Sequence, residues 1–318
     1  MPPSAPPAST PVPVPPGRDD PAADWPALWR QLLQVRAGAA STPRLAHTAT
    51  AGWQLRGRCS AASAACFDLY KPLLDARWTL ARRREAPPWL IAQLGQSLDG
   101  CVATAAGDSA FVNGPQSLRH LHRLRALCDA VLVGAGTVAT DDPQLTTRHV
   151  PGPHPVRVVL DPAARLDGRA RLLRDGQAPT LWLCDAGHAA QARARLAPGP
   201  PLPRAAPEVR AVDGLLDAAD PARGLHPDRV VAALAARGLR LLFVEGGGVT
   251  VSRFLAAGVL DRLHLMVAPV LIGDGRRGLQ GPARAALADC PRPPARTRSF
   301  GDDVLWDLDL RALRPPLR

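Results

Sequence analysis

The sequence predicts an α/β fold, a largely parallel sheet flanked by helices. Three observations carry that expectation. From Trp89 onward, short apolar runs alternate with helix-period segments, the pattern of strand–helix–strand units. Two of the runs end in small residues, Ala130–Val133 before GAGT and Leu241–Val244 before EGGG. A polar, turn-rich DDPQLTTR spans Asp141–Arg148. Strands that end in glycine and open into polar loops build a ligand site at the edge of such a sheet.

Taken in order, residues 1–20 are Pro-rich and predict a disordered tail. Residues 21–88 form a small, mainly helical accessory segment, with Trp25, Leu28, Trp29, Leu32 and Leu33 at helical spacing. Gly52-Trp53 and Asp68–Trp78 show no clear period. The run RRREAPP, ending at Pro88, marks a boundary, and residues 89–318 make up the main domain. Strands are predicted at 89–95, 101–104, 130–133, 156–160, 180–184, 208–212, 240–244 and 262–270. Helices are predicted at 115–127, 187–196, 226–237 and 248–257. The partial alternation of Asp261–Pro269 suits a strand near the sheet edge. Residues 197–207 and 213–225 are loops.

With 318 residues and 46% hydrophobic content, the chain is long enough for a full core. Its formal charge is +11. Lys71 is the only lysine among 39 basic residues, and the arginines are spread rather than clustered. That pattern argues for a compositional bias and against a nucleic-acid partner; attraction for small anions is the better use of the charge. Six cysteines form no C-x-x-C pair and no zinc spacing, so reduced thiols in a cytoplasmic protein and no metal are expected. The N-terminus lacks the features of a secretory signal, and no run is long enough to cross a membrane.

The glycines of Val244–Thr250 precede a helix, whose N-terminal N–H groups attract phosphate. A glycine cluster alone serves a tight turn equally well. Val133–Thr137 lacks the third glycine of a dinucleotide fingerprint and gains weight only beside the later cluster. Asp141 and Asp142 are adjacent carboxylates; such side chains diverge, which favours a turn before Pro143 over a paired acid site. Arg125 and Arg148 are candidate phosphate clamps, although in an Arg-rich chain a given arginine is more often a solvated surface group. Ser109 and Asn113 sit in the loop 107–114, and Glu245 stands at a strand's carboxyl end. The eight histidines form no cluster.

In order, SLDG (97–100), GDSAFV (107–112), HRLRA (122–126), VGAGTVATDDPQLTTR (133–148), PVRVVLDPAARL (155–166), VEGGGVTVSRFLAAGVLDRL (244–263) and APVLIGDG (268–275) resemble the reductase domain of riboflavin biosynthesis. That domain is the C-terminal half of the bifunctional pyrimidine deaminase–reductase, and the resemblance covers about residues 89–312. It implies a dihydrofolate-reductase-like fold with a mixed, mostly parallel sheet, NADPH as hydride donor, and a homodimer. It also implies 5-amino-6-(5-phosphoribosylamino)uracil as substrate, reduced at the ribose C1′ to a ribityl chain. Carried onto this chain, Gly95, Phe111, Thr137 and Asp141 line the cofactor, and Gly247, Gly248, Val249, Thr250, Val251, Ser252 and Arg253 hold its phosphates. Ser109, Arg125, Leu145, Arg148 and Glu245 contact substrate. Asp141 and Glu245 stand nearest the expected reaction centre, with no proton donor assigned.

Three departures qualify the resemblance. Neither an H-x-E nor a P-C-x-x-C pattern occurs, so a stand-alone reductase without the zinc deaminase half is expected. Position 111 is Phe where bifunctional members often carry Trp, which loses an indole N–H. Position 93 is Gln where many members carry Lys, which removes a charge near the site. The alternatives are the same chemistry on another ribosylated pyrimidine or a pterin, and a non-catalytic nucleotide-binding regulator. No 2′-phosphate reader that would separate NADPH from NADH is visible in the sequence.

Overall fold

The central strands are buried on both faces almost without interruption, and that double burial assembles the molecule. In the computed structural model, residues 22–109, 112–197, 206–216 and 224–314 are described; the expected tail at 1–20 and most of the loop at 213–225 lie outside them. The helix α1 (Trp25–Arg36), the hairpin β1 (Leu45–Thr48) and β2 (Gly52–Leu55), and the helix α2 (Ala61–Arg82) come first. There follow β3 (Trp89–Ser97), β4 (Cys101–Thr104), α3 (Pro115–Leu127), β5 (Ala130–Gly134), α4 (Ala135–Asp141) and β6 (Val156–Leu160). Next are α5 (Arg171–Arg174), β7 (Thr180–Asp185), α6 (Ala189–Leu196), β8 (Glu208–Val212), α7 (Pro227–Ala235) and β9 (Leu241–Glu245). The chain closes with α8 (Gly248–Ala256), β10 (Arg262–Ala268), β11 (Gly275–Arg277), β12 (Ala295–Phe300) and β13 (Asp303–Asp309).

The main sheet runs β12-β13-β10-β3-β9-β5-β6-β7-β8. It is parallel from β10 to β8 and antiparallel at the β12–β13 hairpin. This is the mixed, mostly parallel sheet that the sequence predicted. Successive residues face opposite sides of a strand. Trp89, Ile91, Val131, Val133, Leu241 and Phe243 enter one core with α1, α2 and α3. Leu90, Ala92, Leu94, Leu132, Leu242 and Val244 enter another with α7 and α8.

Four expectations change. β10 is not near an edge, because the β12–β13 hairpin pairs along its outer side. The partial alternation reflects His264 and Asp307 buried between strands. The segment before β3 is less purely helical than expected, since it contains the β1–β2 hairpin with Trp53 fully buried. Pro72 inside α2 blurred the helical period there. No helix was predicted after β5, where Ala135–Asp141 forms the short helix α4.

The N-terminal elements are tied in by polar bonds as well as apolar packing. Asp24 accepts from Ser60 N, Ser60 Oγ and Ser63 Oγ at 3.0, 2.7 and 2.7 Å, which also fastens the start of α2. Hydrogen bonds from Ser60 foremost hold its carboxyl well below the usual range. Arg77 meets Asp129 at 2.6 Å, and Trp29 Nε1 donates to Pro151 O at 2.8 Å. The six cysteines are free. Among the described residues no helix is long and apolar enough to cross a membrane.

Candidate active site

Register places the site. β3, β9 and β5 are neighbours, with Gln93 opposite Glu245 and Leu132 opposite Val244. Their carboxyl ends therefore finish side by side, and a cleft of about 1000 Å³ opens there. Gly95, Ser109, Thr137, Asp141, Leu145, Glu245, Gly247, Gly248, Val249, Thr250 and Arg253 all lie on its wall. Phe111 falls outside the described residues.

The two glycine clusters fit against each other. A Cβ on Gly134 would stand 2.5 Å from Thr250 Oγ1, and one on Gly247 would stand 2.8 Å from Thr137 Oγ1. A Cβ on Gly248 would come within 2.1 Å of Gly278 O. Close backbone packing therefore requires Gly248 whether or not a ligand is near. Gly136 differs: nothing lies within 4 Å of its Cβ position, and it faces the cleft. The N-cap of α8 is Gly247, with φ of 22° and no side-chain cap. Its first turn is thus open to an anion. Both readings of the cluster, turn and phosphate cradle, have a physical basis here.

Val251 and Ser252 depart from the expectation. Val251 is fully buried in the core beneath α8. Ser252 Oγ accepts from Gln280 N at 2.8 Å, which turns it toward the 278–280 backbone. Neither belongs to the cleft wall.

The expected arginine clamp also changes. Arg125 Nε donates to Glu245 Oε2 at 2.7 Å, Nη2 donates to Oε1, and Nη1 donates to Thr146 O at 2.9 Å. The side chains are 5% and 14% exposed, so this is a buried, bidentate pair with Glu245 toward the cleft and Arg125 behind it. Arg125 is absent from the cleft wall because Glu245 already takes its fork. Arg148 is exposed; its Nη1 donates to Thr146 Oγ1 at 2.9 Å, and its backbone N donates to His122 Nδ1 at 2.9 Å. Burial foremost, then the charge of Arg125, lowers its pKa, while Glu245 raises it. Between the two arginines Leu145 is buried with φ of 53°, a strained conformation for a branched residue and one that clusters at functional sites.

The two adjacent aspartates diverge as expected. Asp142, with φ of 39°, accepts from Arg171 N at 2.7 Å. Asp141 turns to the cleft, where burial raises its pKa against the pull of Arg276. The SLDG motif is a loop lock: Asp99 accepts from Ser97 Oγ, from Ile272 N at 3.0 Å and from Gly273 N at 2.6 Å. Those bonds, Ser97 first, lower its pKa to about 2.

Several wall residues escaped the sequence reading. Arg276 and Arg277 arrive on β11, and Arg165 follows β6. Like charge from Arg165, after burial, lowers the Arg253 pKa, so two guanidiniums share one side of the cleft. Nothing in an Arg-rich sequence distinguishes these from surface arginines. Gln93, noted only as a departure, also lines the cleft, as does Asn113, which the sequence had singled out in the loop 107–114.

Comparison with known proteins agrees with this geometry. A 2,5-diamino-6-ribosylamino-4(3H)-pyrimidinone 5′-phosphate reductase of Methanothermobacter thermautotrophicus is 33% identical over 230 residues, 70% of this chain and 99% of that protein. The riboflavin biosynthesis protein RibD of Aquifex aeolicus is 31% identical over 189 residues, and the chain spans only 48% of its length. The deaminase/5-amino-6-(5-phosphoribosylamino)uracil reductase of Thermotoga maritima shares the fold, with a TM-score of 0.58 at 22% identity over 78% of this chain and 62% of that one. Residues 88–296 match the family described as the RibD C-terminal domain, and the chain belongs to that family.

Proposed function

We propose that this protein is an NADPH-dependent reductase that converts the ribose of 5-amino-6-(5-phosphoribosylamino)uracil into a ribityl chain. The observation that carries the reading is the cleft. It joins glycine turns and an uncapped helix N-terminus to Glu245, whose carboxylate is held from behind by the buried Arg125, in one volume. The archaeal relative, matched over nearly its whole length, is named as a reductase of a closely related pyrimidine.

When bound, NADPH supplies a hydride to C1′ of the ring-opened imine, whose nitrogen takes a proton. The residues present fit that cofactor. Gly136 leaves room for close approach, and the first turn of α8 offers N–H groups to the pyrophosphate. Arg165 and Arg253 bring two positive charges to one wall, where a further anion relieves their repulsion. A 2′-phosphate is the anion that separates NADPH from NADH. Arg125 acts through Glu245, holding its carboxylate toward the substrate ribose. Arg148, exposed and outside the cleft wall, remains the substrate-phosphate ligand that the resemblance implies, and Arg276 on the wall is a second arginine able to meet that phosphate. Asp141, a carboxyl on the same wall, is the group placed to stand near the reacting nitrogen. A second copy of the chain fits the exposed Leu98, Val270 and Leu271, where Leu98 N donates to Val270 O at 2.9 Å.

One second reading has a specific observation in its favour. Because the 2,5-diamino pyrimidinone reductase is covered over 99% of its length, the diamino base is an alternative substrate for the same cleft. The test follows NADPH absorbance after addition of each freshly prepared substrate to the purified protein. Oxidation at about 1 per second or faster with one of them supports the reading and identifies the base. NADPH binding without oxidation by either rejects the reductase and favours a regulator.

A further inference from the structure

Gln93 is 6% exposed, lines the cleft, and among the described residues has no hydrogen-bond partner for its Oε1. Its neighbours across the sheet, by register, are Glu245 on β9 and His264 on β10. Neither is free to serve it. Both Glu245 oxygens bind Arg125, while His264 Nδ1 pairs with His120 Nε2 at 2.9 Å and its Nε2 faces Asp307 Oδ1 at 3.2 Å.

A second amide stands beside it. A Cβ on Gly95 would lie 1.8 Å from Asn113 Oδ1, so the Asn113 amide occupies the place of the missing Gly95 side chain. Gly95 and Gln93 are alternate residues of β3 and face the same side, about 6.6 Å apart along the strand. Among the described residues Asn113 Nδ2 is also buried without a partner, and Asn113 lines the same cleft. The wall therefore presents an unmet acceptor and an unmet donor, both neutral. A buried polar atom without a partner is costly, and two of opposite kind in one cleft point to a ligand that supplies both bonds.

We infer that Gln93 and Asn113 read the base of the substrate, a neutral pyrimidine ring bearing both N–H donors and carbonyl acceptors. Gln93 Oε1 accepts from an N–H of the ring or its amino groups, and Asn113 Nδ2 donates to a carbonyl oxygen. Glu245 and the arginines are left to the ribose and phosphate. Gln93 thus replaces the lysine of many relatives with a group that recognises an uncharged base without adding a charge. The inference rests on the proposed reductase activity and names the base-reading residues of that same cleft.

The test measures binding by calorimetry in the presence of NADP⁺. The base-bearing probe is 5-amino-6-ribitylaminouracil 5′-phosphate, and the baseless probe is ribitol 5-phosphate. Gln93→Met keeps the length and removes the amide. It is expected to weaken the base-bearing probe at least tenfold, with ribitol 5-phosphate and NADPH affinities changed less than twofold and no fall in the melting temperature. Asn113→Asp, which exchanges the donor for an acceptor, is expected to give the same selective loss and serves if the first variant fails to fold. Unchanged affinity for the base-bearing probe in a folded variant, or equal loss of both probes, overturns the inference while leaving the reductase standing. If the wild-type protein binds NADPH yet neither probe, the proposed activity fails and this inference with it.

Discussion

Two imidazoles buried in series make the fold acid-sensitive, and the effect can be sized. Tyr70 Oη lies 2.7 Å from His120 Nδ1, and His120 Nε2 lies 2.9 Å from His264 Nδ1. His264 Nε2 faces Asp307 Oδ1 at 3.2 Å. Both rings are fully buried. Burial pushes the His120 pKa well down, helped by the charges of His264 and Arg123 and opposed by Asp307. Burial also lowers His264, opposed by the bond and charge of Asp307 and aided by Arg262 and Arg298.

The folded values lie below the unfolded one, so below about pH 6.5 the unfolded chain binds more protons and stability falls with pH. The contribution is complete above the unfolded pKa and is lost on acidification toward the folded values. Each ring that stays neutral when folded costs about 1.4 kcal/mol per pH unit well below about 6.5. Integrated from about pH 7 to about pH 5.5, a ring that stays neutral throughout contributes about 1.2 kcal/mol, and His120, held farther down than His264, comes nearest that limit. Asp307 lies outside this window: although its burial acts the other way, bonds from His264 and Arg262 hold it well below the ordinary range.

Urea unfolding at the two pH values measures the loss, and His264→Asn isolates one ring. The variant is less stable at both values, but its loss between them should be smaller than the wild type's, by at most about 1.2 kcal/mol. NMR of the folded protein should show both rings titrating below the free imidazole value, His120 the lower of the two. A variant that keeps the full wild-type pH dependence, or a ring that titrates near about pH 6.5 in the folded protein, refutes the reasoning.

Arg125→Met should destabilise by about 3 kcal/mol in urea melts by stranding Glu245, and the added Glu245→Met should recover part of that loss. Gly248→Ala should cost about 1–3 kcal/mol in the same melts because its Cβ meets Gly278 O. Gly136→Ala should leave the melting temperature level or slightly raised, since nothing lies within 4 Å, while weakening NADPH in a fluorescence titration. Arg165→Ala or Arg253→Ala should reduce the preference for NADPH over NADH at least tenfold in kcat/KM, from loss of about 1.5–3 kcal/mol of charge-assisted bonding; an unchanged preference would move the 2′-phosphate elsewhere.

The parallel core was legible because its signal is local. Ala130–Val133, Val156–Leu160, Thr180–Cys184 and Leu241–Val244 are short apolar runs bounded by turn residues, and each forms a strand close to its expected limits. The same holds for α3, which spans 115–127 as expected. Glycines at strand ends marked the cleft, because few other residues allow loops to approach so closely. The β12–β13 hairpin was not legible, since its exposed edge strand carries little apolar period. What only the tertiary structure decided is who partners whom. Arg125 and Glu245 are 120 residues apart, and Tyr70 meets His120 across 50. Arg276 approaches Asp141 only because β11 pairs with β4. Hydrophobic period and turn chemistry belong to neighbouring residues and can be read along the chain. Charge pairing, amide satisfaction and the walls of a cleft depend on strand register and packing, which bring distant residues together only in the folded protein.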